Sequence, residues 1–340
     1  MKINLINTSE ELYIKIDEYK NSYDQIFIIT QENIIKTKIA NPLSSKYNIY
    51  LCKDAEECKS LEEYQKIIKY LATHKCNKNS LLIGLGCGTI TDLCGFVAST
   101  YMRGISFINI PTTLLGMVDA SIGGKRALNI EGKRNLIGTF REPSELILYT
   151  QFLNSLSKKQ LIGGYAEILK YALIMDKKLF QTIENNINSL IENVDFNLIN
   201  RIIEICINHK IKIVSQDQYD QGIRNILNFG HTIGHALESY YKFTLSHGQA
   251  ILYGMKVASY LSLIKQNISQ EQYDKIVNIL NKFGTTSLLD LDINKVLEFL
   301  DTDKKNIGGQ LNYILLNDIG SAYTEKNYSK DNLIKGMEIL

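Results

Sequence analysis

An excess of charge of either sign is missing from this chain of 340 residues, in which 38 Lys and Arg face 36 Asp and Glu. No general field draws nucleic acid or an acidic membrane, so basic residues that bind anything must be clustered locally, and the expected partner is a small molecule. Cys-x-x-Cys pairs are also absent among Cys52, Cys58, Cys76, Cys87, Cys94 and Cys206, which read as free thiols of a reducing compartment rather than a disulfide framework. The opening Met-Lys-Ile-Asn-Leu-Ile-Asn-Thr-Ser-Glu-Glu has no apolar run of the secretory kind, and no stretch is long enough to span a bilayer. These absences lead to the expectation of a cytoplasmic protein with neither membrane nor nucleic-acid partners.

Histidine is scarce too, with five in the chain, yet His231, His235 and His247 fall in one segment between Arg224 and His247. On a helix, Asn228, His231 and His235 would share a face and point at one spot, as metal ligands do. No carboxylate sits between the two histidines in the manner of His-Glu-x-x-His, and such a pair serves equally well as half-buried, hydrogen-bonded side chains. His247 and the adjacent Gly230 and Gly234 weigh toward a site, because small residues let another backbone or a substrate come close.

The first half alternates strand-like and helix-like segments, as a doubly wound sheet requires. Gln25 to Thr30, Tyr47 to Cys52, Ser80 to Leu85, Ile105 to Ile110 and Glu145 to Thr150 read as strands, with helices over Leu61 to His74 and from the Gly86-Cys87-Gly88 turn to Tyr101. A strand, a glycine turn and a helix start make a phosphate cradle, although the third glycine of the dinucleotide fingerprint is missing here. Thr112 and Thr113 follow a strand end, where ligands of open α/β sheets bind. Between Lys125 and Arg141 the cations Lys125, Arg126, Lys133, Arg134 and Arg141 meet one acid, Glu131, and read as a loop suited to phosphate or carboxylate. From Gln151 onward the pattern is of amphipathic helices: Leu161 to Met175, Leu179 to Glu192, Asn197 to Ser215, Asn228 to Tyr241, Gly248 to Gln266, Gln270 to Phe283 and Ile293 to Leu300. The domains are therefore set at residues 1–150 and 151–340. Glu167 and Lys170, three apart, form either a surface ion pair or, with the histidines, a zinc site in need of a carboxylate. Asp303-Lys304-Lys305 precedes Gly308-Gly309 and a strand over Leu311 to Leu316.

Taken in order, these motifs resemble the 3-dehydroquinate synthase family over almost the whole chain. The resemblance rests on Glu56-x-x-Lys59, Gly86 to Asp92, Thr100 to Gly104, Pro111 to Leu115, Asp119 with Gly123-Gly124-Lys125, Gly163 to Lys170, Arg224 to His235, His247-Gly248 and Asp303 to Lys305. It implies an α/β fold: a Rossmann-like doubly wound NAD domain, then an all-helical metal- and substrate-binding domain, with the active site in the cleft between them. By the same resemblance zinc, with cobalt as a substitute, is held by Glu167, His231 and His247, which leaves His235 to support the ligands or to handle protons. Substrate contacts fall on Arg103, Asp119, Lys125, Lys170, Lys210, Arg224, Asn228, His235 and Lys305. NAD contacts fall on Glu56, Lys59, Gly86, Gly88, Asp92, Thr112, Thr113, Asp119, Lys125 and Arg134. The family usually dimerises. Its reaction turns 3-deoxy-D-arabino-heptulosonate 7-phosphate into 3-dehydroquinate and phosphate by transient oxidation, elimination, reduction and aldol closure, as a step of the shikimate pathway toward chorismate and aromatic amino acids.

Several positions depart from the family pattern. Cys87 replaces the middle glycine of the turn, Gln31 an aspartate after the first strand's threonine, Arg134 a lysine, and Gln249 the glutamate of His-Gly-Glu, which removes a charge expected beside the metal. Competing readings are another sugar phosphate cyclase, which would not need Lys210, Arg224 and Asn228 for a carboxylate, a metal-dependent polyol dehydrogenase, or a noncatalytic anion-binding protein.

Overall fold

The computed structural model describes residues 1–53, 55–131, 133–192, 195–285, 287–288, 291–301, 312–326 and 328–340. They divide into two compact units, Met1–Leu156 and Ser157–Leu340. The boundary expected at Thr150 is the start of a short 3-10 helix, Thr150–Ser155, that stays with the first unit.

The first unit contains β1 (Lys2–Leu5), α1 (Ser9–Glu18), β2 (Ile26–Gln31), α2 (Glu32–Ile35), β3 (Asn48–Cys52), α3 (Leu61–Thr73), β4 (Leu81–Gly86), α4 (Gly88–Thr100), β5 (Ser106–Pro111), β6 (Lys125–Ile130), β7 (Lys133–Phe140) and β8 (Glu145–Leu148). Six of the strands form one parallel sheet in the order β1-β8-β5-β4-β2-β3. Every residue of β2 and β4 is buried, which explains why they read as unbroken apolar runs: a parallel sheet is covered on both faces. Ile67 and Leu71 of α3 and Ile90, Leu93 and Val97 of α4 pack on Phe27, Leu82 and Phe107 of the sheet.

The stretch from Lys125 to Arg141, expected as a ligand-binding loop, is instead an antiparallel hairpin of β6 and β7. Two of its five cations hold the fold. Arg126 is 1% exposed, lies 3.6 Å from the Asp92 carboxylate and donates to the carbonyls of Ser121 and Arg141. Gly95 makes room for it, since a Cβ there would sit 2.4 Å from Arg126 Cδ. Arg141 donates to the carbonyls of Ala98 and Ile105, satisfying backbone groups near the end of α4.

The second unit, expected to be all-helical, is mainly but not wholly so: α5 (Lys158–Met175), α6 (Lys177–Ile191), α7 (Phe196–Gln216), α8 (His231–Tyr240), α9 (His247–Ile264), α10 (Gln270–Lys282), α11 (Ile293–Asp301) and α12 (Lys330–Met337) are joined by an antiparallel hairpin, β9 (Tyr313–Asp318) and β10 (Ser321–Glu325). Polar caps start several helices: Ser157 and Gln160 form a reciprocal box on α5, Ser269 and Gln272 another on α10, and Asp176 and Asp195 cap α6 and α7. The expected helix from Asn228 is corrected. Ile223–Asn228 is a separate 3-10 turn, and α8 begins at His231 after Gly230 adopts φ of 76°. Asn228 therefore does not share the helical register of His231 and His235. Lys305, with the rest of Asp303 to Leu311, lies outside the described residues. Among the described residues no helix is long and apolar enough to cross a membrane.

Candidate active site

Three helices bring one carboxylate and two imidazoles together because glycines let their backbones touch. A Cβ on Gly254 of α9 would lie 1.9 Å from the Gly230 carbonyl oxygen at the start of α8, and one on Gly248 would lie 2.5 Å from Gly163 Cα on α5. With α5, α8 and α9 locked at these crossings, Glu167 Oε1 lies 3.5 Å from His231 Nε2 and 3.6 Å from His247 Nε2. One ligand atom from each of the three residues falls within 4.8 Å of the others.

The far nitrogens fix which atoms face inward. His231 Nδ1 is 3.1 Å from the Phe229 carbonyl oxygen, and His247 Nδ1 is 3.1 Å from a Glu238 carboxylate oxygen. Those oxygens only accept, so each Nδ1 carries a proton and each ring turns its Nε2 toward Glu167. Burial pushes His231 below its ordinary pKa, against the pull of Glu167. Burial also opposes the charge on His247, but Glu167 and Glu238 outweigh it and lift the ring to about 9. Glu167 is 1% exposed; burial disfavours its charge, yet Lys170 and then His231 more than offset this and hold the carboxyl well below its ordinary range. Lys170, itself buried, bonds Glu167 directly, so the pair three residues apart exists but is not the solvated ion pair that its spacing also allowed. Two imidazole nitrogens and one ionised oxygen around a common point are the donor set of an open three-ligand zinc site. His235, Glu238 and His247 form a second possible set, which shares His247 through its ligand atoms.

Glu238 was not anticipated from sequence, although it lies seven residues after His231 and three after His235, the spacing of a common helix face. Gln249, where a carboxylate is usual, accepts from Ser246 Oγ at 2.8 Å at the start of α9. The charge next to His247 comes from Glu238 instead.

Of the remaining candidates in this unit, Lys210 on α7 and Arg224 in the 3-10 turn are buried, and Asn228 is half-buried. Arg224 Nη1 donates to the Gln218 carbonyl at 2.7 Å, while Asp217 accepts from the backbone N–H groups of Gln221, Gly222 and Arg224 and so shapes the turn that carries it. The ring centroid of His235 is 5.3 Å from His231 and 6.0 Å from His247.

Of the cofactor candidates in the first unit, Gly86, Gly88, Thr112 and Thr113 lie at the carboxyl ends of β4 and β5. A Cβ on Gly88 would meet Ala120 Cβ at 2.7 Å, and one on Gly86 would meet Ile90 at 2.9 Å, so both turn glycines are sterically required. Cys87 between them has φ of −68° and ψ of 177°, an ordinary conformation that tolerates a side chain in place of glycine. Thr112 N donates to the Gly86 carbonyl, and Thr112 Oγ1 is buried without a protein partner. Thr113 Oγ1 accepts from Gly116 N. A close-packed glycine turn, a helix N-terminus and an orphaned hydroxyl fit the pyrophosphate of a dinucleotide.

Lys59 Nζ donates to Asp92 at 2.7 Å and to Asn135 Oδ1 at 2.6 Å, and lies 3.9 Å from Glu56. Glu56 accepts from Asn129 and Thr89. Sequence reasoning found Glu56, Lys59 and Asp92 but missed Asn129 and Asn135, which lie on a hairpin it did not foresee. Arg134 is exposed beside Asn135 on β7, and Lys125 is exposed at the start of β6. Asp119 lies in the π-helical turn Gly116–Ala120, and Arg103 follows Met102 in a turn where both have positive φ.

The architecture has known counterparts. The 2-epi-5-epi-valiolone synthase of Streptomyces hygroscopicus subsp. jinggangensis, solved with NAD+ and Zn2+ bound, aligns with a TM-score of 0.88 at 21% identity over 99% of this chain and 95% of that one. A 2-deoxy-scyllo-inosose synthase, complexed with carbaglucose-6-phosphate, NAD+ and Co2+, aligns at 0.87 and 23% identity over 98% and 95%. The fold is thus the one shared by sugar phosphate cyclases. Residues 49–163 match the family described as 3-dehydroquinate synthase N-terminal, and residues 164–306 match 3-dehydroquinate synthase C-terminal. The 3-dehydroquinate synthase of Clostridium tetani is 36% identical over 344 aligned residues, 99% of this chain and 91% of the relative. The chain belongs to the 3-dehydroquinate synthase family, and its activity is that of the family, on a sugar phosphate.

Proposed function

We propose that the conversion of 3-deoxy-D-arabino-heptulosonate 7-phosphate to 3-dehydroquinate and phosphate runs here with a zinc or cobalt ion on Glu167, His231 and His247 and with NAD on the glycine turn of the first unit. The observation that carries the reading is the convergence of His231 Nε2 and His247 Nε2 on Glu167 Oε1, at 3.5 and 3.6 Å. When bound, the metal and nicotinamide supply the transient oxidation of the carbon 5 alcohol, which makes the neighbouring proton acidic enough for phosphate to leave.

The chain's own residues hold the substrate and move protons. Lys170 keeps Glu167 ionised, as their buried contact supports. Arg224, buried and anchored on the Gln218 carbonyl, carries a planar guanidinium whose fork matches a carboxylate, and we assign it, Lys210 and Asn228 to the same substrate end. Arg103, Asp119 and Lys125 are assigned to the substrate as well, and Lys305 on the resemblance alone. His235 is assigned to proton transfer, supported by its nearness to the two metal-facing imidazoles. Glu56, Lys59, Gly86, Gly88, Asp92, Thr112, Thr113 and Arg134 are assigned to NAD, with Asp119 and Lys125 bordering the nicotinamide. A homodimer is part of the proposal and is read by analytical ultracentrifugation.

The test is incubation with the heptulosonate phosphate, NAD+ and Zn2+, with assay of phosphate, dehydroquinate and NADH. Equal release of phosphate and dehydroquinate without net NADH is expected. Accumulating NADH without phosphate release would mean a dehydrogenase, and neither product would mean a binding protein.

A further inference from the structure

In a doubly wound sheet, the strand beside the glycine-turn strand ends near the adenosine ribose. An acid in that region holds the 2′-hydroxyl of NAD, whereas a cation accommodates the 2′-phosphate of NADP. Here the glycine turn follows β4, and β2 pairs with β4 in parallel up to Ile29 opposite Gly84, which brings Gln31 level with Gly86 two residues further on. The strand order β3-β2-β4-β5 repeats the arrangement of dinucleotide-binding sheets around the turn.

Gln31 is 4% exposed and held from both sides. Its Nε2 donates to the Lys53 carbonyl oxygen at the end of β3, at 3.1 Å, and its Oε1 accepts from Cys87 Sγ in the glycine turn, at 3.7 Å. The contact with Lys53 selects a carboxamide. A carboxylate in its place would turn an anionic oxygen on a carbonyl oxygen that can only accept. Among the described acids near this strand end, Glu32 pairs with Lys36 at 2.5 Å, Glu63 accepts from the Tyr50 hydroxyl and Lys53 N, and Glu56, assigned above to NAD, accepts from Asn129 and Thr89. The Lys53 ammonium is half exposed and loosely held, 3.8 Å from Glu62.

We propose that Gln31 makes this chain permissive at the ribose, so that it binds NADP as well as NAD, with Lys53 meeting the added phosphate. The inference rests on the dinucleotide reading given above. A neutral carboxamide still bonds the 2′-hydroxyl but sets no like charge against a 2′-phosphate.

Calorimetric titration of the intact chain with NAD+ and, separately, NADP+ tests this without reference to turnover. The two dissociation constants are expected to agree within about 30-fold. Gln31→Asp is expected to widen the gap by at least about tenfold through like-charge repulsion. The exposed Lys53→Ala, which leaves the core untouched, is expected to weaken NADP+ at least about threefold more than NAD+. NAD+ binding with NADP+ more than about 30-fold weaker in the unaltered chain would overturn the inference and leave the dinucleotide reading intact. Failure to bind either nucleotide would overturn both. A Lys53→Ala variant with an unchanged ratio would also contradict the proposal, whether or not Gln31→Asp folds.

Discussion

His247 stands between two carboxylates, with Nδ1 3.1 Å from Glu238 and Nε2 3.6 Å from Glu167. Glu238 comes from α8, the helix that also carries His231, so one element supplies a ligand and the group that orients another. Removing the Glu238 charge should leave the fold in place while making Nε2 of His247 less basic and less well aimed. Glu238→Gln is expected to weaken Zn2+ binding about 10- to 100-fold, measured by competition with a chromogenic chelator. Wild-type affinity would mean that Glu238 plays no part in orienting the ring.

The glycine crossings make an asymmetric prediction. A Cβ at Gly248 would collide with α5 backbone, whereas a Cβ at Gly163 would meet nothing within 4 Å. Gly163→Ala should therefore be tolerated, with a gain of about 0.5 to 1 kcal/mol from the stiffer helix. Gly248→Ala should push α9 from α5, lower the melting temperature and reduce metal content. Thermal melts and metal analysis of the two variants check this; equal behaviour would contradict the crossing.

Asp176 links acid sensitivity to the second unit. Its carboxylate accepts from Leu179 N at the start of α6 and from His209 Nε2 of α7, at 2.9 and 2.7 Å. Burial raises its pKa, but the Leu179 N–H and His209 outweigh this and the net shift is downward. Its contribution is therefore present above the unfolded carboxyl value of about 3.9 and lost as pH falls through the lower folded value. Asp176→Ala is expected to cost about 1 kcal/mol at neutral pH, the ordinary loss of a helix cap, and the gap in urea midpoints should close as pH falls below the ordinary carboxyl value. A gap that stays constant on acidification would refute the linkage.

Arg224 tests the substrate assignment. Arg224→Ala should lower kcat/KM by the equivalent of about 2 to 5 kcal/mol, the range for removing one partner of a buried charge pair. Arg224→Lys should not restore it fully, because a point charge replaces a fork. Unchanged efficiency in the alanine variant would exclude contact with the substrate carboxylate.

Much of the first unit was legible because its parallel strands are buried on both faces and so are written as apolar runs. The β6–β7 hairpin was not: β7 is exposed at nearly every position and rich in cations, so neither alternation nor an apolar run marks it. Arg126 reads like any basic residue, and its burial depends on Gly95 and Asp92, neighbours that only the fold supplies. In the second unit, spacing pointed to His231 and His235 as a pair. Glu167 distinguishes between the histidines in space, since its oxygen faces Nε2 of His231 and His247 from another helix. The break at Gly230, which removes Asn228 from the register of α8, follows from the contact with Gly254 and leaves no mark on the hydrophobic pattern.

The central claim is that Glu167, His231 and His247 hold one catalytic metal, and metal content measures it most directly. Protein purified after chelation and reloaded with Zn2+ should carry one ion per chain, with X-ray absorption showing nitrogen and oxygen ligands at about 2.0 to 2.2 Å. Single variants Glu167→Gln, His231→Ala and His247→Ala should each lose most of that metal and the phosphate-releasing activity together, while His235→Ala keeps the metal. Full metal content in any of the three ligand variants, or its loss in His235→Ala alone, would contradict the account.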